Sequence, residues 1–371
     1  MTDNSLSHRY SNLQEDEVNP LSRYRQLLAR QRERAMQDWA VRVHPKSDHP
    51  WPNLDLALEA HELARGPEPQ IPGVDFSEEQ PHEDIHVSRV HVRTKQGEKR
   101  IGKRKGRYIT LEAPGLRRRD PDLQTRVVEV LRDEFQRLFT LSDKASVLVV
   151  GLGNANVTPD AFGPLVVERL FVTRHVFQLM PELLDEGYRT VSAIAPGVLG
   201  VTGIETLEVV RGVVEHVQPD LVIALDALAS RSLARVNATI QIADSGIHPG
   251  SGVGNHRREL TTETLGVPVY AIGVPTVVQA STIASDCLER LLDRLRVSVP
   301  NNGANQIFDH FSAQEKRQMV DEVLSPLGDN LMVTPKEVDE FIEDISQLVA
   351  KALNLALHPE MTMEEADVLT H

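Results

Sequence analysis

Two aspartates stand where acid–base chemistry has room to happen. Asp160 lies in "VVGLGNANVTPDAFGP", which runs from an apolar strand into a glycine turn and then toward a helix start, and Asp226 ends the apolar strand "LVIALD" just before "ALASRS". Ligands of open parallel sheets bind beyond the carboxyl ends of the strands, where the loops converge. If these two strands are neighbours, the side chains can face each other across one crevice. Two carboxylates brought close cannot both ionise cheaply, so one keeps a proton while the other stays charged. Such a pair holds a base for a water attacking a peptide carbonyl and an acid for the oxygen or the leaving nitrogen. Each aspartate also has an ordinary reading as a helix N-cap, worth ~1 kcal/mol to the fold.

Other constellations compete with that pair. The glycines at 151 and 153 suggest a phosphate loop, but the third fingerprint position holds Asn156, no Lys-Ser/Thr pair follows, and Asp160 repels phosphate. "HEDIH", His82 to His86, matches the H-E-x-x-H zinc pattern in letters. Zinc needs both imidazoles on one helical turn, whereas Pro81 and the alternating "IHVSRVHV" read as a loop entering a strand. "DSGIHPGSGVGNH" gathers Asp244, Ser245, His248 and Ser251, yet Pro249 stands where the nucleophile elbow requires glycine. A glycine-rich loop approaching substrate backbone fits better, with His248 either structural or a third group at the acids. The basic run "KQGEKRIGKRKGR" reads as a solvated hairpin rather than a nucleic-acid patch, and Cys287 as a helical core position.

The elements that must position these residues alternate in period. "SVLVVGL", "VSAIAP", "LVIALD", "ATIQIA" and "VYAIGV" are short β-branched runs, and helices such as "GIETLEVVRGVVEHV" and "ASTIASDCLERLLDRLRV" lie between several of them. The fold class is therefore α/β, a mainly parallel sheet covered by helices. A polar leader, 1–55, carries one amphipathic helix in "LSRYRQLLARQRERAMQDWA". Residues 56–125 form a helix and a β-rich antiparallel annex, 126–298 the core, and 299–371 a C-terminal helical segment. In "TPKE", Thr334 can cap the last helix, with Pro335 at its first position and Glu337 completing a capping box.

The 371 residues carry a formal charge of -14, which disfavours direct nucleic-acid binding. One cysteine excludes an internal disulfide and points to a reducing compartment. No apolar run approaches a membrane span, and the polar N-terminus has no signal-peptide core. The expectation is a soluble, cytoplasmic protein with no membrane partner.

"KGRYITLE", "VVGLGNANVTPDAFGP", "SAIAPGVLGVTGIET", "IALDALASRS", "VNATIQIADSGIHPGSGVGNHRREL" and "PLGDNLMVTPKEVDEFIED" together resemble the germination protease family of endospore-forming bacteria, whose members start the degradation of small acid-soluble spore proteins. The resemblance spans nearly everything from about residue 53 to 358. It implies a phosphorylase/hydrogenase-maturation-protease-like core and a homotetrameric zymogen of the forespore and spore core that removes its own leader. The family's two catalytic aspartates fall on Asp160 and Asp226. A more distant similarity to nickel-hydrogenase maturation endopeptidases puts metal-binding acids at the same positions, with His248 as a further ligand. Two mechanisms follow: an acid pair with no cofactor, which is the reading adopted, or a divalent metal held by Asp160, Asp226 and His248. The family cuts after an acidic residue followed by an apolar one and alanine, so self-cleavage is expected between Asp55 and Leu56, ahead of Ala57. The leader is longer and more basic than the family's short propeptides, and the linker near residue 300 is shorter.

Overall fold

The computed structural model describes residues 55–65, 70–139, 141–184, 186–249, 257–298, 320, 323 and 331–370. These belong to the compact unit His49–His371. The leader with its expected helix, the glycine-rich tract 250–256 and the tract 299–319 lie outside the described residues.

Among the described residues the strands are β1 (Val74–His82), β2 (Ile85–Val92), β3 (Gly106–Glu112), β4 (Ser146–Gly151), β5 (Thr190–Ile194), β6 (Leu221–Ser230), β7 (Thr239–Ala243), β8 (Val269–Gln279) and β9 (Met332–Val333). They form one sheet in the order β1-β2-β3-β7-β8-β6-β4-β5, with β9 beside β8. The strands β5, β4, β6 and β8 run parallel. From β8 onward β7, β3, β2 and β1 are antiparallel, so the annex is hydrogen-bonded into the core sheet through β3 and β7. The helices are α1 (Ala57–Arg65), α2 (Lys95–Ile101), α3 (Pro121–Leu138), α4 (Phe162–Glu168), α5 (Arg174–Leu179), α6 (Leu199–Thr202), α7 (Thr206–Val217), α8 (Thr262–Leu265), α9 (Ala280–Ser298), α10 (Val338–Leu357) and α11 (Met363–Thr370). The α/β architecture read from the alternating periods is the one observed.

Strand alternation divides the core between the two faces. Leu221, Ile223 and Leu225 of β6 pack with Phe162 of α4, with Leu131 and Phe135 of α3 and with Val349 and Leu353 of α10. Val222 and Ala224 of the same strand meet Leu207, Val210 and Val214 of α7. Helix α3 starts where it does because Asp120 accepts the Asp122 N–H at 3.0 Å and Pro121 fits the first helical position. Beyond α10 the buried His358 accepts the Arg189 N–H on Nδ1 at 3.3 Å, which leaves Nε2–H to donate to the Phe171 carbonyl at 3.1 Å. Burial lowers this imidazole's pKa to about 4.

Several local expectations are corrected. The basic run is not a hairpin: Lys95–Ile101 is helical, because Thr94 accepts the Gly97 N–H at 3.1 Å and Gly102, at φ 67°, closes the helix through Glu98 O. Cys287 is on α9 but exposed, so it is not a core residue. The Thr334 hydroxyl does not cap α10. It donates to the Thr276 carbonyl at 2.9 Å, and α10 starts after Glu337 with no side-chain cap. "HEDIH" does form the turn between β1 and β2, with His82 opposite Ile85, and presents no helical face. None of the described helices is long and apolar enough to cross a membrane.

Candidate active site

The glycine turn after β4 exists to fold an acid back onto the strand. Asn154 N–H reaches both Asp160 Oδ2 at 2.8 Å and Asp160 O at 3.1 Å. Gly153 sits at φ +111°, and a Cβ there would lie 2.0 Å from Asp160 O, so no larger residue permits this closure. The Thr276 hydroxyl of β8 anchors the same loop by donating to Pro159 O at 2.6 Å. Asp160 belongs to a short 3₁₀ turn, Thr158–Asp160, and α4 that follows has no side-chain N-cap. The capping reading of Asp160 thus fails, because its carboxylate serves the turn. Burial raises its pKa, and the Asn154 amide and the Arg257 guanidinium pull it back down.

Asp226 does not end its strand. β6 continues to Ser230 because β8 runs beside it, pairing Asp226 with Gly273 and Ala227 with Val274 and, after a one-residue shift between Leu228 and Ala229, Ser230 with Val278. The helix expected after Asp226 is therefore strand, which removes its capping reading too. β4 and β6 are adjacent and parallel, with Gly151 opposite Leu225, so the two acids do come from neighbouring strands. Asp226 continues the Val222–Ala224 row and is 5% exposed. Its carboxyl is held well above the usual carboxylate range, first by burial, then by the negative charges of Asp160 and Asp55. The Ala227 N–H, 3.0 Å from Asp226 Oδ1, and Arg257 oppose that shift. Both carboxyls are pushed up, Asp226 the more strongly, and that difference favours the protonated form at Asp226 over Asp160.

Asp55, Asp160, Asp226 and Arg257 line one groove. Asp55 also lines the adjoining chamber with Lys103, Tyr108, Gln241 and His248. Its Oδ2 accepts the Ala229 N–H at 2.9 Å, at the point where β6 and β8 shift register and the ladder leaves that amide available. Its carbonyl accepts Lys103 Nζ at 2.8 Å and Gln241 Nε2 at 3.1 Å. Two residues on, the Ala57 N–H donates to Gln241 Oε1 at 2.6 Å. Leu56 and Ala57 are fully buried. The segment Asp55–Leu56–Ala57 is thus held in a fixed register with Asp55 in the groove of the two acids, and only at Ala57 does helix α1 begin.

The remaining sequence candidates do not join the acids. His248 Nε2 pairs with Glu259, and this histidine borders the Lys103 chamber rather than the groove of Asp160 and Asp226. Among the described residues no three His, Cys, Asp or Glu side chains are grouped as metal ligands, and His248 lines a different chamber from Asp160 and Asp226. Asp244 accepts from Arg107 at 2.7 Å and Ser245 donates to the Tyr108 hydroxyl at 2.9 Å, so the triad reading does not assemble, and Ser251 lies outside the described residues. Sequence reasoning missed Lys103, Gln241 and Arg257. Gln241 did leave a signal: it is the one long polar side chain in the apolar strand "ATIQIA".

The chain matches the family model described as germination protease, Peptidase A25, over residues 54–306 and 301–370. It is 47% identical to the germination protease of Bacillus subtilis (strain 168), with 85% of this chain and 96% of that protein covered. It is 51% identical to the germination protease of Caldanaerobacter subterraneus subsp. tengcongensis, covering 85% of this chain and 97% of that one. Among solved structures it is similar to the NiFe hydrogenase maturation protease HycI from Thermococcus kodakarensis KOD1, at 21% identity and a TM-score of 0.29, covering 60% of this chain and 98% of that one. The family match over most of the chain, together with these identities, carries the conclusion: the chain belongs to the germination protease family, and it is a peptidase, a hydrolase acting on peptide bonds.

Proposed function

We propose that this peptidase is made as a self-processing zymogen, a homotetramer of the forespore and spore core, that cuts its own chain between Asp55 and Leu56 and then cleaves small acid-soluble spore proteins during germination. Asp160 and Asp226 activate the water. The observation that carries the reading is that Asp55 lines the same groove as the two acids. An acidic side chain with a backbone donor on it, followed by a buried leucine and a buried alanine, fits the motif expected of both leader and substrate.

The different environments of the acids suggest their roles. Asp160, the less perturbed, is the base that takes a proton from water. Asp226, which keeps its proton, is the acid that protonates the leaving Leu56 nitrogen. No step in this scheme calls on a metal.

The test is mass-spectrometric mapping of the new N-terminus in wild type, Asp160→Asn and Asp226→Asn, with digestion of a purified spore protein in parallel. Wild type is expected to begin at Leu56 and both variants to stay uncut and inactive. Variants that shed the leader and digest the spore protein at the wild-type rate would sink the acid-pair mechanism.

A further inference from the structure

We propose that Lys103 and Gln241 are catalytic donors that stabilise the oxyanion formed at the bond being cut, an inference that rests on reading Asp55–Leu56 as that bond. Two donors converge on one carbonyl oxygen, Lys103 Nζ at 2.8 Å and Gln241 Nε2 at 3.1 Å from Asp55 O. When water adds to that carbonyl carbon, the oxygen gains a full negative charge. Donors already aimed at it gain most of their strength at that moment and need no reorganisation.

Both donors are held from behind. Helix α2 ends at Gly102 in the left-handed conformation, and Lys103 is the next residue. The loop that follows is tied down by Lys105 N–H to Glu98 Oε1 at 2.8 Å and by the Tyr108 hydroxyl to Arg104 O at 2.8 Å. Gln241 stands on β7 inside the sheet, hydrogen-bonded to β3 on one side and β8 on the other. Its Oε1 takes the Ala57 N–H at 2.6 Å, which fixes the amide and turns Nε2 toward the Asp55 carbonyl. One side chain therefore grips the peptide on both sides of Leu56, as a neighbouring strand would.

Donors and acids reach Asp55 from different chambers: Lys103 and Gln241 line one, Asp160 and Asp226 the other. That division gives each group its own task. The oxygen of water bonds to the Asp55 carbonyl carbon and its proton passes to Asp160. The carbonyl electron pair moves onto oxygen, where Lys103 and Gln241 donate hydrogen bonds while keeping their protons. On collapse the C–N bond breaks, and the leaving Leu56 nitrogen takes the proton of Asp226.

The experiment follows self-processing of the full-length chain by mass spectrometry for wild type, Lys103→Met, Lys103→Ala, Gln241→Glu and Asp160→Asn, with a thermal melt of each. Gln241→Glu keeps the acceptor for the Ala57 N–H and removes the donor to the carbonyl. Lys103→Met and Gln241→Glu are expected to cut the Asp55–Leu56 bond roughly 100- to 1,000-fold more slowly than wild type. Added n-propylammonium should restore part of the rate of Lys103→Ala, an effect that loss of a merely structural contact would not show. Should Lys103→Met fail to fold, Gln241→Glu and the rescue decide. Processing by both variants within threefold of wild type, with Asp160→Asn uncut, would overturn the oxyanion site and leave the acid pair standing. Processing by Asp160→Asn at the wild-type rate, or a wild-type cut mapped elsewhere, would bring down the underlying reading and this inference with it.

Discussion

Asp226 and Gln241 stand in one register row of the sheet, two strands apart, with Gly273 between them. Residues paired in register share a face, so both side chains rise on the same side about 10 Å apart. The glycine between them matters, since a Cβ there would lie 2.4 Å from Leu228 Cδ1. Asp55 bridges this row, with its carbonyl on Gln241 and its carboxylate close enough to Asp226 to push that acid's pKa up. A single row of β-sheet thus supplies the buried acid at one end and the backbone clamp at the other.

Gly153→Ala tests whether the glycine turn is built for Asp160. The substitution puts a side chain at φ +111° and 2.0 Å from Asp160 O, so the loop must move. We expect a loss of about 1–3 kcal/mol in urea unfolding and a larger fall in self-processing than stability alone explains. Unchanged stability together with unchanged processing would show that the loop has another way to close.

Arg257→Met tests the electrostatics of the acid pair. In the proposed scheme the active form has Asp160 ionised and Asp226 protonated, so the rate is expected to rise as pH passes the Asp160 pKa and to fall as it passes that of Asp226. Arg257 lowers both. Its removal should shift both limbs of the pH–rate profile to higher pH. Limbs that stay in place would mean Arg257 does not act on the pair.

His358 sets a pH limit on stability, away from the active site. Its pKa falls from an ordinary 6.5 to about 4 on burial, so the folded state binds the proton less well than the unfolded chain. The contribution is fully present above 6.5 and is lost as pH falls toward 4. That difference corresponds to roughly 3 kcal/mol. Denaturant titrations at pH 7 and pH 4 should show His358→Asn to be less stable at pH 7 and less sensitive to the drop. Equal pH sensitivity in variant and wild type would exonerate this group.

That Asp160 and Asp226 share one groove was legible because chemistry and period agreed. Asp160 and Asp226 each followed a β-branched run, and runs of that kind pair into the parallel half of the sheet. The extent of β6 was not legible. "ALASRS" has the small residues of a helix start, and only the Val-rich second half of β8, lying alongside, holds it extended to Ser230. The basic run misled for a related reason. Its charges suggested a solvated hairpin, while the Thr94 cap and the Gly102 stop, two single residues, make it a helix. Cys287 was misplaced because the helical pattern of "ASDCLERLL" gives the period but not which face the sheet covers. Lys103 and Gln241 were overlooked as contributors because their partner is a main-chain carbonyl from a segment far away in sequence, which no local spacing can announce.

If Asp55 marks the residue before the cut, as proposed, the register shift between Leu228 and Ala229 has a consequence for how substrate choice can change. The amide that binds the Asp55 carboxylate is main chain, so replacing Ala229 by another non-proline residue would leave that donor in place. Altering it takes a length change, one residue gained or lost in β8 near Thr276, which would realign the two strands. Discrimination of this kind is stored in where a strand slips, and it resists drift by point mutation.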